Sequence, residues 1–305
     1  MTLAERQLPA ASSSRPALAL LILGAVLISF SGIFVKLSEL GPQATGFYRL
    51  LFAFPIFWLW QRWSARDGRG DADRPRSAAD FWLLVLPGLL LAGDFIAWHW
   101  GIRMTAVANP TLFGNTAPIW VTLALWLFWG KRFRPGFLVG MALAIAGIAL
   151  ILGASFETGR NDLIGDLLGI VTGMFYGAYM LALKAARHRF STAAIMTWGA
   201  AAGALLILGV ALAAGESLVI PSWHGLLLLV ALSLVSQVGG TSMISWSFAH
   251  LPAAFSAVTL LMNPMLTAIF AWVLLDEALG MGQIAAGLLV LGGILVAWYY
   301  SPAAD

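Results

Sequence analysis

The chain has 305 residues, of which 60% are hydrophobic and only 10% charged, whereas soluble domains average about 45–50% apolar and about 25% charged residues, so its main solvent is lipid. The net charge of +3 comes from basic residues set between apolar segments, a placement that fits membrane topology and argues against nucleic acid. With no cysteine in the sequence, disulfides, thiolate metal sites and cysteine nucleophiles are excluded.

A helix needs about 20 apolar residues to cross a hydrocarbon layer of ~30 Å. Ten segments qualify in chain order: 17–38, 43–61, 80–102, 105–129, 135–154, 164–185, 191–214, 223–248, 252–275 and 280–300. Residues 1–16 precede them as a tail. The second is the weakest, because Arg49 interrupts it. Segment 17–38 follows Arg6 and Arg15 as a signal peptide would, but "SFSGIFVKL" is a poor small-x-small cleavage site. A β-barrel is excluded, since its strands would be ~10 residues of alternating polarity. The connections are short, so the reading is one all-α integral membrane domain.

Lysine and arginine set the orientation. With the N-terminus inside, that side holds Arg6, Arg15, Arg62, Arg66, Arg69, Arg74, Arg76, Lys131, Arg132, Arg134, Lys184, Arg187 and Arg189. Outside are Lys36, Arg103 and Arg160. Both termini are therefore expected in the cytoplasm.

The chain repeats itself. "ANPTLFGNTAPIWVTLALWLFWGKRF" (108–133) aligns with "AAFSAVTLLMNPMLTAIFAWVLLDEAL" (253–279) at an offset of 146, matching Pro118 to Pro264 and Trp126 to Trp272. The following segments align too, with Gly136 over Gly282 and Gly147 over Gly293. The halves are 17–154 and 164–300, five spans each. Because five is odd, the second half must insert upside down. Inverted repeats are the architecture of many secondary transporters, which bind substrate near the midplane where the halves meet. The expectation is ten transmembrane helices in two inverted five-helix repeats around a central cavity.

Three stretches carry a resemblance: "LISFSGIFVKLSELGPQATGFYRLLFAF", "GDFIAWHWGIRMTAVANPTLFGNTAPIWV" and "MNPMLTAIFAWVLLDEAL". They are similar to the repeated signatures of the drug/metabolite transporter superfamily, EamA type, over nearly the whole chain. Within it, the general pattern is similar to aromatic amino acid exporters of the YddG type. The resemblance implies export of amino acids or related metabolites across a bacterial inner membrane. One departure is that "WGKRF" stands in the first half where "LDEAL" stands in the second.

Polar and aromatic residues at membrane depth supply the candidate site. Asp94 is the only acidic residue deep within a span, and such a carboxylate marks a pathway, a proton site or an ion pair. It would bind a substrate ammonium or carry a proton, or else pair with Arg49 or Arg103. Trp98 is at i+4 from Asp94 and shares its face. His99 reads as a titrating group or, more simply, as an interfacial histidine near the outer headgroups. The amides Asn109, Asn115 and Asn263 are placed to hydrogen-bond substrate, with interhelical bonding as the plainer use. Thr259 and Met262 flank Asn263 and join the set. Phe113, Tyr176, Tyr179 and Trp246 are mid-span aromatics that line a cavity or pack a core. Gln237, Gly239, Gly240, Thr241 and Ser242 form a polar patch, a hinge or a site wall. Pro118 and Pro264 are expected to kink their spans. Gly169, Gly173 and Gly177 form a small-residue ridge for close packing. Trp58, Trp60, Trp63, Trp82, Trp298 and Tyr299 sit at span ends as interfacial belts.

No Walker loop, H-E-x-x-H, G-x-S-x-G or clustered metal spacing occurs. The expectation is no cofactor and no metal, with lipid and a small-molecule substrate as partners, no nucleic acid, and a monomer. A secondary-active transporter leads. A passive facilitator of the same fold is the alternative. A membrane-embedded enzyme using Asp94 and His99 lacks a second catalytic cluster.

Overall fold

Apolar runs this long leave the backbone no water to bond, so every segment satisfies its own N–H and C=O groups as helix. A computed structural model describes residues 11–64, 73–104, 108–153, 162–275 and 281–301. Among these the structure is helical throughout, with no strand. The helices are α1 (Ala11–Lys36), α2 (Pro42–Ser64), α3 (Ala78–Met104), α4 (Ala108–Gly114), α5 (Ala117–Trp129) and α6 (Pro135–Gly153). They are followed by α7 (Asp162–Arg187), α8 (Thr192–Ala213), α9 (Trp223–Ala231), a π-helical stretch (Leu232–Thr241), α10 (Ser242–Phe248), α11 (Ala253–Thr259), α12 (Met262–Leu275) and α13 (Met281–Tyr300). α1 starts at Ala11, ahead of the expected span 17–38.

Among the described residues seven helices are long and apolar enough to cross a membrane, with Pro110–Trp129, Trp223–Phe248 and Ala253–Leu274 each taken as one. Pro135–Leu150 and Ile284–Tyr300 are shorter apolar helices. α2, with Arg49 in its middle, is not among the seven. Trp63, Trp82, Trp298 and Tyr299 at helix ends are well exposed, as an interfacial belt requires.

The prolines act differently from the expectation. Neither Pro118 nor Pro264 kinks a continuous helix. Each lies in the first turn of a new one, α5 or α12, where a missing N–H costs little. The chain breaks just before them, at Asn115–Thr116 and at Leu260–Leu261. The two breaks share a hydrogen-bond pattern. Asn115 N–H bonds to Thr111 O (3.1 Å) and Thr116 N–H to Phe113 O (3.0 Å). In the second half Leu260 N–H bonds to Ser256 O (3.1 Å) and Leu261 N–H to Val258 O (3.1 Å). The repeat thus extends to backbone geometry. Where "WGKRF" departs from "LDEAL", Gly130 ends α5 in the left-handed region (φ 63°). Asp276 and Glu277 of the second copy lie outside the described residues.

Small residues let the helices approach closely. α7 lays Gly169, Gly173 and Gly177 against Pro110, Phe113 and Trp120 of α4 and α5. Gly88 of α3 abuts Gly199 of α8. Gly24 of α1 meets Gly240 and Ile244. α6 and α13 run antiparallel, with Gly136 beside Tyr300, Gly140 beside Ala297 and Gly147 beside Val290.

The two ends of the bundle differ in charge. At one, Glu216 accepts from Ala44 N–H (2.9 Å), Ser222 Oγ donates to Glu39 (2.8 Å) and Tyr48 O–H donates to Leu218 O (2.6 Å). We call this the acidic end. At the other, Asp73 accepts from Ser191 N–H (2.8 Å), Arg189 is ion-paired to buried Asp80, and Lys184 Nζ donates to Leu251 O (2.8 Å). This is the basic end.

Candidate functional site

A cavity of about 270 Å³ lies in the half of the bundle nearer the acidic end. α1 contributes Ile28, Ser31, Gly32 and Val35, and α2 contributes Thr45, Gly46 and Arg49. α3 adds Leu91, Asp94, Phe95, Trp98 and His99, while α4 and the break after it add Thr111, Gly114 and Asn115. Thr172 and Tyr176 of α7, Leu232 and Asn263 complete the wall. Both halves of the chain therefore meet there.

Of the residues expected from sequence, Asp94, Trp98, Asn115, Tyr176 and Asn263 line this cavity. Asp94 and Trp98 share a face of α3, as their i+4 spacing dictates. Trp98 Nε1 donates to Thr111 Oγ1 (3.1 Å), which fixes its indole. Asn115 Nδ2 donates to Thr111 O (2.7 Å) and so ties off a carbonyl at the break. Asn263 receives Ser29 Oγ on its backbone oxygen (3.3 Å). The asparagines thus hold the broken helices as well as facing the cavity.

Others fall elsewhere. Phe113 packs against Gly169 of α7, away from the cavity. Tyr179 is buried, stacks on Tyr176 with centroids 6.0 Å apart, and borders a separate small void of about 20 Å³ beside Gln237. Thr259 and Met262 border an apolar recess between α1, α11 and α13, and Thr259 Oγ1 donates to Phe255 O (3.0 Å). Trp246 stacks on His250 at 4.0 Å. These residues lie off this cavity because span position gives depth, whereas helix rotation decides what a side chain faces. The side chain of Asn109, like that of Arg103, lies outside the described residues.

His99 corrects the interfacial reading. It is 5% exposed, lines the cavity and packs beside Trp98 with centroids 5.2 Å apart. Gly239 and Gly240 are part of the π-helical stretch. A Cβ at Gly240 would lie 2.7 Å from Ile28 Cγ1 and 3.0 Å from Gly24 O.

The π-helical stretch carries the polar patch and turns it into a support. π geometry is rare and clusters at functional sites. Here it brings Gln237 to Arg49, whose Nε donates to Gln237 Oε1 at 2.8 Å. Arg49 Nη1 donates to Ser31 Oγ (2.9 Å), its guanidinium lies 4.9 Å from the Phe95 ring centroid, and its backbone oxygen accepts from Ser233 Oγ (3.0 Å). Arg49 is 7% exposed. It is a buried cavity residue outside the set expected from sequence. Its signal was present as the one cation inside a span, but it read as a flaw in a weak helix. Asp94 and Arg49 border the same cavity but do not pair, and among the described residues Asp94 has no hydrogen-bond or ion-pair partner.

Among the described residues no cluster of three or more histidine, aspartate or glutamate side chains could hold a metal. The cavity wall offers a carboxyl group, a guanidinium, amides and aromatic rings.

Comparison with known proteins agrees with this picture. The model of the EamA-like transporter family matches residues 15–153 and again 163–299. Two uncharacterized transporters of Archaeoglobus fulgidus are similar to the chain. One is 27% identical over 287 residues, covering 90% of this chain and 95% of the relative. The other is 25% identical over 280 residues, covering 92% and 95%. A crystal structure of a protein at 18% identity shares the fold, with a TM-score of 0.78 over 95% of this chain and 99% of the other. With two copies of the family's unit spanning nearly all its length, the chain is a multi-pass membrane protein that belongs to the EamA-like transporter family.

Proposed function

We propose that the chain is a secondary-active transporter that exports amino acids, with aromatic or other apolar side chains, or related small metabolites by alternating access. It crosses the bacterial inner membrane ten times, in two inverted halves, with both termini in the cytoplasm. The observation that carries the reading is the cavity between the halves, lined by a carboxylate, a guanidinium, amides and aromatic rings. Seven long apolar helices, two shorter ones and α2 make up the ten passes. The antiparallel contact of α6 with α13 supports the inversion, because these two helices are equivalents in the repeat. The breaks before Pro118 and Pro264 fall in equivalent spans, as in transporters whose sites form at discontinuous helices.

The basic end supports the orientation, since positive loops stay in the cytoplasm. The cavity then belongs to an outward-facing state, with the cytoplasmic end shut by the Asp73, Asp80 and Lys184 contacts.

Counterflow in proteoliposomes tests the proposal. Vesicles preloaded with unlabelled phenylalanine are expected to accumulate labelled phenylalanine transiently above equilibrium. Monotonic uptake with no trans-acceleration would assign the protein to passive facilitators. No uptake of any of the twenty amino acids would remove the substrate class.

A further inference from the structure

Arg49 and Asp94 border one cavity without an ion pair between them. A buried charge is costly unless it is paired or well bonded. Arg49 is bonded only to neutral partners, Gln237 and Ser31, and its Nη2 has no acceptor among the described residues. Asp94 borders the same cavity with its carboxylate unbonded among those residues. The anchors on Nε and Nη1 keep the guanidinium in place, so the two groups face one space without a direct ion pair.

Resting on the transporter reading above, we propose that Arg49 and Asp94 form a clamp for a zwitterion: the guanidinium takes the carboxylate of an α-amino acid and Asp94 takes its ammonium. The fixed fork of a guanidinium suits a carboxylate's two oxygens. Phe95 under the guanidinium leaves its free edge as the approach for a ligand. Trp98, Leu91 and Tyr176 on the wall receive an apolar or aromatic side chain. A cavity of about 270 Å³ sits just below the small-molecule range of roughly 300–1,000 Å³, as suits a single amino acid. A ligand with only one charge would leave the other protein charge unmatched, so the site discriminates against amines and carboxylic acids of the same shape.

The test uses the full chain in lipid nanodiscs, with labelled L-phenylalanine competed by phenethylamine, which lacks the carboxylate, and by 3-phenylpropanoate, which lacks the ammonium. Wild type is expected to prefer phenylalanine over each by about tenfold or more, the worth of one hydrogen bond to a charged group. Asp94→Asn should remove the preference over 3-phenylpropanoate and keep that over phenethylamine. Arg49→Gln should do the reverse, with Arg49→Lys intermediate. Asp94 has no bonds to lose among the described residues, so its variant decides the matter even if Arg49→Gln does not fold. Equal losses for all three ligands in the folded variants, or phenethylamine binding to wild type as tightly as phenylalanine, would overturn the clamp. Phenylalanine counterflow with unchanged ligand preferences in the variants removes the clamp alone. Wild type that neither binds nor transports phenylalanine removes both the clamp and the amino acid reading.

Discussion

Gln237 does its work through Arg49. Its Oε1 accepts from the guanidinium inside the bundle, and the π-helical stretch aims it there. A hydrogen bond to a charged group is worth about 1.5–3 kcal/mol. Gln237→Leu removes the acceptor and leaves a buried donor exposed to nothing. The expected result is a lower unfolding temperature and substrate binding weakened by about tenfold, the equivalent of ~1.4 kcal/mol. Gln237→Glu separates support from competition. It keeps the acceptor but adds a permanent anion beside Arg49, so the unfolding temperature should hold while binding still falls. Thermal unfolding and equilibrium binding on the same preparations check both outcomes. A Gln237→Glu variant that binds as wild type does would mean that Arg49 is not available to a ligand carboxylate.

Helix contacts here are set by how close two backbones come. Gly88 of α3 has Gly199 of α8 directly against it, and a Cβ at Gly88 would collide with that backbone. Gly209, also on α8, and Gly292 on α13 have nothing within 4 Å of such an atom. Gly88→Val should therefore push α3 from α8 and destabilise the protein by about 1–3 kcal/mol or more, the usual cost of overpacking. Gly209→Ala and Gly292→Ala should be neutral or gain up to about 1 kcal/mol of helix propensity. Unfolding in detergent, followed by intrinsic fluorescence, distinguishes the three. The same helices show what a sequence discloses. Charge-free runs of 20 or more residues reveal a span, and the Asn–Pro pairs at Asn109–Pro110 and Asn263–Pro264 mark spans that break. Rotation is another matter. Tyr176, in the cavity, and Tyr179, buried beside it, are three residues apart on one helix, so their spacing alone does not separate them. Short apolar helices such as α4 and α11 have no amphipathic face to mark which way Phe113 or Thr259 points. The π-helical stretch was legible only as an excess of serine, glutamine and glycine, because a π turn depends on what packs beside it. His99 and Arg49 were visible as charges or potential charges, but lipid and cavity look alike from a linear sequence.

For the whole molecule, the alternating-access proposal makes the balance between its two ends decide which side the cavity serves. The basic end is tied by Arg189 to Asp80, by Asp73 to Ser191 and by Lys184 to Leu251. Arg189 is 55% exposed while Asp80 is buried. The solvent side of the pair weakens it, yet breaking it strands a buried carboxylate, so a cost of about 1 kcal/mol or more is expected. Under that proposal these contacts form only while the basic end is shut and so favour that state. Removing one must shift the population toward the opposite state, by about fivefold for ~1 kcal/mol. The chain has no cysteine, so a single introduced thiol reports accessibility without background. Val35→Cys places one on the cavity wall and Met196→Cys places one in the buried region nearer the basic end. In sealed vesicles of known orientation, an impermeant thiol reagent should label the Val35→Cys protein from the acidic side and leave the Met196→Cys protein largely unreacted. Adding Arg189→Ala should slow the first reaction and speed the second from the basic side. If both sites slow or both quicken, the ion pair stabilises the fold as a whole and does not govern access. If only the Met196→Cys site changes, the basic end opens without closing the other, which describes a channel and not a carrier.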